Sequence, residues 1–425
     1  MTHDHTGAGI KHRTRLAAAR ERLHERLTSH GRTERVPLAA AVGRTLATTV
    51  TADRAVPGED RAAVDGWAVR ATDTVGASTR APAVLRVGDE ADPERAVAVD
   101  TGQPLPSDAD AVVRVEQVTH IGDEIEIEAA VPVGGDVVAR GEDVTAGRRL
   151  YEPGHRLQPS DLGLLRAVGV DRPEVAEPPT IAVVPTGDEL VAADPEPGES
   201  VETNGVVLDR LATQWGGTAT VGSVLSDDPD AVRERLAQAA SADLVVTCGA
   251  TAVGSRDHLP AVVDDCGEVF VRGLATEPAH PTTLGVVDDT PVVCLPGYPV
   301  ACVVAAVQLL RPAIRRLVGG DAPPHPTTRA RLTRKVPSGP GVRTFAQVRL
   351  TTPEDGAVTD DAGVDGATVP QATPTDGGAS ARSAVGLADG WVVVPESREG
   401  SDAGETVAVE HWEQPPATAV GGETA

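Results

Sequence analysis

Residues 180–190 read TIAVVPTGDEL, and residues 243–257 read DLVVTCGATAVGSRD. Each begins as a short apolar run rich in β-branched residues, the pattern of a strand buried on both faces. Each then reaches a glycine with acids just beyond it: Asp188 and Glu189 after Gly187, Asp257 after Gly254. In an open α/β sheet, ligands bind outside the carboxyl ends of the strands. Two acid-bearing turns at such ends predict a site for an anionic ligand and a divalent cation.

Working outward, residues 178–320 alternate between strand and helix patterns. Strands are expected at 180–184, 219–225, 243–247, 268–274 and 291–295, and helices at 204–215, 228–240, 257–266 and 299–317. Pro229 after Asp228 marks a helix start, and Gly216-Gly217 a stop. This alternation predicts a doubly wound sheet.

The flanks read differently. Leu16, Ala19, Leu23 and Leu27 fall on one side of a helix over 14–28, which Gly31 stops, and a second helix is expected over 37–48. Residues 51–138 carry short runs such as AVLRV (83–87) and AVVRV (111–115) between turns, the texture of a small β domain. Residues 139–175 are mixed, with a helix from Pro159 to Val168 capped by Ser160. Strand texture returns over 325–412, around a Gly/Thr/Asp-rich loop at 353–380, and predicts a barrel-like domain; 413–425 reads as a disordered tail.

A chain of 425 residues exceeds one core. It has 63 acids against 38 bases, a net charge of −25, 2% aromatic residues and two lysines, Lys11 and Lys335. Acid excess with near-absent lysine resembles the proteins of extreme halophiles. At molar salt the Debye length is about 3 Å, so self-repulsion is screened. The acids are spread rather than blocked, which argues against a dedicated acidic docking surface, and the charge argues against duplex nucleic acid as a partner. Cys248, Cys266, Cys294 and Cys302 lack zinc-ligand spacing and read as small hydrophobes of a reducing compartment. No apolar run approaches about 18 residues and no signal pattern opens the chain, so a cytoplasmic protein without membrane spans is expected. His3 and His5 read as a polar tail.

Several constellations carry chemistry. Thr186-Gly187-Asp188-Glu189 sets a hydroxyl, a backbone N–H and two carboxylates at one strand end. Asp227-Asp228 follows the next expected strand in the same way. Gly249 and Gly254 bracket a turn before Asp257, placed to cap a helix. Leu295-Pro296-Gly297-Tyr298-Pro299 ends the last strand and opens a helix whose N-terminus is expected to face phosphate. Carboxylates beside phosphate call for a bridging Mg²⁺, since bare acids repel the anion. Singly, each acid also reads as a helix cap and each glycine as a turn. Four on one sheet edge favour a site. The β-rich part adds the acid-dense turn DRAAVDGWA (60–68) and the rigid loop DTGQPLP (100–106).

These residues carry a resemblance. VPGEDRAAVDGWAVR (56–70), TGQPLP (101–106), GEDV (141–144), PTGDEL (185–190), SDDPDAV (226–232), VGSRD (253–257) and LPGYP (295–299) occur in order. Over residues 12–412 the chain resembles the molybdopterin molybdenumtransferases, the family that includes the gephyrin E domain. The resemblance implies an elongated helical and mixed domain (12–50 and 139–177), an inserted β domain (51–138), a doubly wound α/β molybdopterin-binding domain (178–323) and a C-terminal β-barrel (324–412). It implies a homodimer with the cleft between the α/β domain of one subunit and the β-rich domain of the other. The implied reaction inserts molybdate into adenylylated molybdopterin with Mg²⁺, releasing AMP. Glu189, Asp228 and Asp257 are the implied catalytic acids and metal ligands; Asp60, Thr101 and Asp143 come from the partner side. Thr186, Gly187, Asp188, Gly249, Thr251, Gly254, His280, Pro296, Gly297 and Ser383 are the implied cofactor contacts. Other enzymes of molybdenum cofactor biosynthesis are implied partners.

The chain also departs from the family pattern. Gly249-Ala250-Thr251-Ala252 stands where the family has Gly-Gly-Val-Ser, and Pro278-Ala279-His280-Pro281 where it has Pro-Gly-Lys-Pro. Glu277 replaces a lysine, Ala62 a serine, Tyr298 an asparagine, and Gly378-Ala379-Ser380 a Gly-Ser-Gly. His280, Arg256 and Arg272 are the local replacement cations. These changes fall on the anion side and spare the acids. They keep two other readings open: a paralogue that binds molybdopterin or a partner without chemistry or handles tungstate, and a molybdopterin adenylyltransferase, faintly matched by Gly254-Ser255-Arg256-Asp257.

Overall fold

The computed structural model describes residues 13–249, 258–352 and 369–413. The chain divides into two units: residues up to Arg32 with those from Ala176 onward, and Thr33–Val175.

The first unit is built on a six-stranded sheet. In chain order its strands are Thr180–Pro185, Thr218–Val221, Leu244–Cys248, Gly267–Arg272, Thr283–Val287 and Thr290–Leu295. In space they run second, first, third, sixth, fifth, fourth. The first four of that spatial order are parallel; the fifth strand then runs antiparallel between the sixth and the fourth. Because successive side chains point to opposite faces, each central strand feeds two cores. Ile181, Val183, Leu244, Val246, Val293 and Leu295 meet the helix Asn204–Gln214 and the long helical segment 299–317. Val184, Val245, Val292 and Cys294 meet the helices Pro229–Ala239 and Leu259–Cys266. The sheet is therefore covered on both faces by the helices of its own crossovers.

The helix Leu16–Arg26 buries Leu16, Ala19 and Leu23 in the first of these cores. Within the described residues this helix packs in the core of the α/β unit. A chemical reason is visible at Gln308. Pro312 has no N–H to give to the carbonyl four residues back, and the segment Ala306–Leu310 is a π-helical turn. Arg20 Nε donates to the Gln308 carbonyl at 2.8 Å, and its Nη2 bonds the Gln308 side chain.

One strand escapes the sequence reading. Thr283–Val287 and Thr290–Leu295 form a hairpin through Asp288 and Asp289, both at positive φ (47° and 65°). Two left-handed residues are the signature of a tight hairpin turn. The expected helix at 37–48 is also corrected. Only Leu38–Ala40 turns, as a 3-10 helix; Gly43 sits at φ +78°, and Thr45 and Leu46 pair with Arg156 and Val175. The helix Pro159–Ala167 starts from Gln158, not Ser160: the Asp161 carboxylate accepts from the Gln158 N–H at 2.8 Å.

Residues 66–127 of the second unit form a six-stranded sheet around Leu85, Ala96, Val113, Ile125 and Ile127. Flanking segments share a separate core of Val36, Leu46, Leu157, Leu165 and Val175. Back in the first unit, Arg343–Thr351, Gln371–Pro374, Thr327–Leu332, Thr406–Glu410 and Gly390–Val394 close into a five-stranded barrel, the last pairing with the first. Among the described residues no helix is long and apolar enough to cross a membrane. Cys248, Cys294 and Cys302 are buried and Cys266 half-buried, all reduced.

Asp243 ties the start of the third strand to its surroundings. Its carboxylate accepts from Arg32 Nη1 and Nη2, at 2.9 and 2.6 Å, and from the Thr180 N–H and Oγ1, at 2.7 and 2.8 Å. Burial pushes its pKa up, but Arg32 and Thr180 outweigh it and hold the group at about 2. A depressed carboxylate stabilises the fold above its unfolded pKa and loses that contribution as pH falls through the folded value. Asp243→Asn should cost about 1–2 kcal/mol at pH 7 in denaturant unfolding, and the difference from wild type should shrink as pH falls from about 4 toward 2.

Candidate functional site

The first strand's connection leads to the second strand on one side, and the third strand's leads away to the other. The crevice between their carboxyl ends is the topological switch point, where such sheets bind ligands. Register brings the ends level: Pro185 pairs with Cys248, and Cys248 with Leu295. The Thr186 N–H donates to the Cys248 carbonyl at 3.0 Å, and the Gly249 N–H to the Leu295 carbonyl at 3.2 Å.

Gly249 is required here. It sits at φ +129°, and a Cβ on it would fall inside the Thr186 carbonyl and 2.8 Å from Thr186 Oγ1. A Cβ on Gly297 would lie 3.3 Å from the Gly249 Cα. Three strand ends thus close on one another backbone to backbone. Asn204 Nδ2 donates to the Gly297 carbonyl at 2.8 Å and pins the third end.

The acids line up beside this junction. The chain after the second strand runs along the first: the Gly187 N–H donates to the Leu225 carbonyl at 3.0 Å. That brings the Asp227 N–H to Asp188 Oδ1 at 3.1 Å. Gly187 lies at φ +148°, and the Glu189 carboxylate folds back over it, 2.9 Å from where a Cβ would stand. Asp188, Glu189 and Asp228 are exposed, while Thr186 and Gly187 are buried. Asp228 also caps the helix Pro229–Ala239, accepting from the Asp230 N–H at 3.0 Å. The bland reading of that acid as a cap is therefore true of one of its oxygens. Among the described residues no three His, Cys, Asp or Glu side chains are already set around one point. Thr251, Gly254 and Asp257, with Ala250, Ala252 and Arg256, lie outside the described residues.

The remaining expected contacts sit around the same edge. Pro296 is buried and Gly297 exposed at the end of the sixth strand. The helix start that follows offers less to a phosphate than the sequence predicts: Pro299 has no N–H, and the Val300 N–H is taken by the Ala379 carbonyl at 3.0 Å. That contact docks the loop before the helix Arg382–Gly386, so exposed Ser383 lies beside the edge. Arg382 reaches across to Thr203 Oγ1 and the Val201 carbonyl, both at 3.2 Å. His280 occupies the turn between the fourth and fifth strands, beyond the sixth. Its Nδ1 faces Glu277 at 3.5 Å. Ala279 holds φ +83° there while buried, a conformation that costs a Cβ-bearing residue about 1–2 kcal/mol.

In the second unit the structure gathers the other three residues. The Asp60 carboxylate accepts from the Arg140 N–H at 2.7 Å, and its carbonyl from the Leu105 N–H at 2.9 Å. Arg61 Nη1 donates to the Gly102 carbonyl at 2.8 Å. The Asp143 N–H donates to the Val56 carbonyl at 3.1 Å. Three loops, 56–65, 100–105 and 139–144, are stitched into one surface bearing Asp60, Thr101 and Asp143. Thr101 gives both its N–H and its hydroxyl to Asp65 Oδ1, at 2.7 Å each. Those bonds hold the Asp65 carboxyl below its ordinary pKa, so it stays an acceptor. With its O–H donated to Asp65, Thr101 Oγ1 is left as an acceptor.

Asn204, Asp65, Arg140 and Arg382 are missing from the sequence reading. Asp65 lay inside the quoted acid-dense turn and was legible as a partner. Arg382 was not: nothing in the sequence places 382 beside 201–203.

Comparison with known proteins fits this geometry. Residues 14–169 match the model of the MoeA N-terminal region (domain I and II), 182–316 a probable molybdopterin binding domain, and 329–412 the MoeA C-terminal region (domain IV). The molybdopterin molybdenumtransferase 2 of Mycobacterium tuberculosis is 32% identical over 339 residues, covering 74% of this chain and 82% of the relative. The molybdopterin molybdenumtransferase of Bacillus subtilis is 30% identical over 403 residues, 89% and 90% of the two chains. The crystal structure of a molybdopterin biosynthesis MoeA protein from Pyrococcus horikoshii superposes with a TM-score of 0.80 at 32% identity, covering 95% of this chain and 100% of that one. The chain belongs to the MoeA family of molybdopterin molybdenumtransferases.

The junction makes a sharp prediction. Gly249→Ala adds both a backbone strain and a clash, and should lower unfolding stability by about 3 kcal/mol. Gly198→Ala, at φ +101° with nothing within 4 Å, carries the strain alone and should cost about 1 kcal/mol. Equal costs in denaturant unfolding would refute the close packing.

Proposed function

We propose that the protein inserts molybdate into adenylylated molybdopterin with release of AMP, in a Mg²⁺-dependent reaction. Membership of the family makes it an enzyme of molybdenum cofactor biosynthesis. The observation that carries the specific reaction is the exposed row Asp188, Glu189 and Asp228 beside the Gly249 junction. A phosphoanhydride at a switch point needs backbone donors and a cation, and this edge carries exposed carboxylates of the kind that bind one.

The donor set suits Mg²⁺: carboxylate oxygens, exposed, at a sheet edge. Glu189 and Asp228 would hold it, with Asp257 as a third ligand. When bound it neutralises charge on the phosphoanhydride and on departing AMP. The protein's own groups do the rest. The junction fixes where the nucleotide lies. Arg382, held on the 201–203 loop beside Asn204, supplies a cation the sequence departures had removed elsewhere. As dithiolene sulfurs replace molybdate oxygens, Asp60 and Asp143 relay the thiol protons to oxygens that leave as water, and Thr101 Oγ1 accepts a hydrogen bond from that water. The family resemblance supports a homodimer in which that second set acts from the neighbouring subunit, and a cytoplasmic setting with other cofactor-biosynthesis enzymes as partners.

The pairing of Glu277 with His280, where the resemblance implies two lysines, favours a second reading of oxyanion choice. Molybdate and tungstate are tetrahedral dianions of nearly equal size, so the altered cation field and not shape would separate them. Turnover with each oxyanion in parallel decides between them.

Glu189→Gln should reduce AMP release at saturating Mg²⁺ by about a hundredfold. Mixing subunits carrying Glu189→Gln with subunits carrying Asp143→Asn should restore about a quarter of wild-type activity, because half the dimers then keep one intact site of two. No restoration would refute the shared cleft. The acid excess supports a halophilic origin, and the melting temperature should rise between about 0.1 M and about 2 M KCl as repulsion is screened. A flat or falling curve would refute that origin.

A further inference from the structure

The chain has four Trp, two Tyr and two Phe, all among the described residues. Trp215, Phe345, Trp391 and Trp412 are buried. Trp67, Tyr151 and Phe270 are half-buried, against His120, His155 and Arg26 respectively. Tyr298 differs: it is 63% exposed, and among the described residues no ring stacks on it and nothing bonds its hydroxyl.

Its position is unusual in a second respect. Tyr298 is the N-cap of the helix Pro299–Ala305, and its side chain makes no capping hydrogen bond. Asn, Asp, Ser or Thr at that position contributes about 1 kcal/mol. The chain forgoes that contribution to set a ring in water. The ring's base is rigid. The Tyr298 carbonyl accepts from the Cys302 N–H at 2.8 Å, and the preceding residue is Gly297, fixed by Asn204 and packed on Gly249. Only the two side-chain torsions remain to aim it, so little entropy opposes its use. It stands at the carboxyl end of the sixth strand, next to the switch point.

We propose that Tyr298 is a substrate-positioning residue whose ring stacks on a planar heteroaromatic ring of the ligand at the strand ends. The inference rests on the function proposed above, whose substrate carries two such rings, a pterin and an adenine. Stacking accepts either, because each presents a π-face.

The test uses full-length wild type, Tyr298→Phe, Tyr298→Leu and Tyr298→Asn at molar KCl. Two probes, AMP and the fluorescent pterin-6-carboxylate, are titrated separately, with melting temperatures recorded alongside. The expected result is that Tyr298→Phe binds like wild type, while Tyr298→Leu binds one probe about tenfold more weakly. The probe that weakens identifies the stacked ring. Tyr298→Asn should lose the same affinity and yet melt higher, since it restores a cap. That opposition is a signature a structural role would not give. Binding of both probes within twofold of wild type by Tyr298→Leu overturns this proposal and leaves the function standing. Failure of wild type itself to bind either probe overturns both.

Discussion

Everything at the ligand edge depends on one steric constraint: three strand ends meet with no room for a side chain between them. Gly249 lies against the Thr186 carbonyl, and Gly297 lies against Gly249. The parallel register from Ile181–Leu244 to Cys248–Leu295 delivers those ends at one level. Once they are level, the buried Thr186 and Gly187 fix where the exposed acids begin. The chain after the second strand is drawn in alongside, and Asp227 arrives beside Asp188 through the Leu225 carbonyl and Asp188 Oδ1, with Asp228 next in the chain. A looser junction would leave the acids on mobile loops, too imprecise for a phosphoanhydride.

The two units solve the same problem by different means. In the α/β unit, backbone packing places the acids. In the other unit, hydrogen bonds between loops do so, with Asp60 and Arg61 each bonded to a second loop. Asp65 shows why an acid-dense turn is useful beyond its charge. By accepting the Thr101 hydroxyl's hydrogen bond it turns an ambiguous group into a defined acceptor. The chain's departures from its family then read coherently. On the proposed reading, Glu277 and His280 stand where the resemblance implies lysines, and Arg382, bonded to Thr203 and Val201, takes the place of a lost cation. Arginine is the cation this composition retains.

Much of this was legible before any coordinates. The apolar runs at 180–185 and 244–248 are buried on both faces, so they read as continuous strands, and the glycine turns after them gave the edge. Pro229 after Asp228 gave the helix start. What failed did so for local reasons. The fifth strand carries Gly285 in its middle and turns through two aspartates, which look like a loop. The segment 37–48 has helical composition, but Gly43 takes a left-handed conformation and its neighbours are claimed by Arg156 and Val175. Ser160 is a better cap by composition than Gln158, yet Asp161 reaches back and decides the start. Asn204 and Arg382 gain their roles from partners far along the chain, and spacing does not reveal such partners.

On the proposed reading this edge performs the transfer and does not merely hold the pterin. Single-turnover conversion by the purified protein tests it most directly, with adenylylated molybdopterin, molybdate and Mg²⁺ at molar KCl. AMP and active molybdenum cofactor should appear together in equal amounts. Adenylylated molybdopterin recovered intact from the protein, with no AMP released, would contradict it.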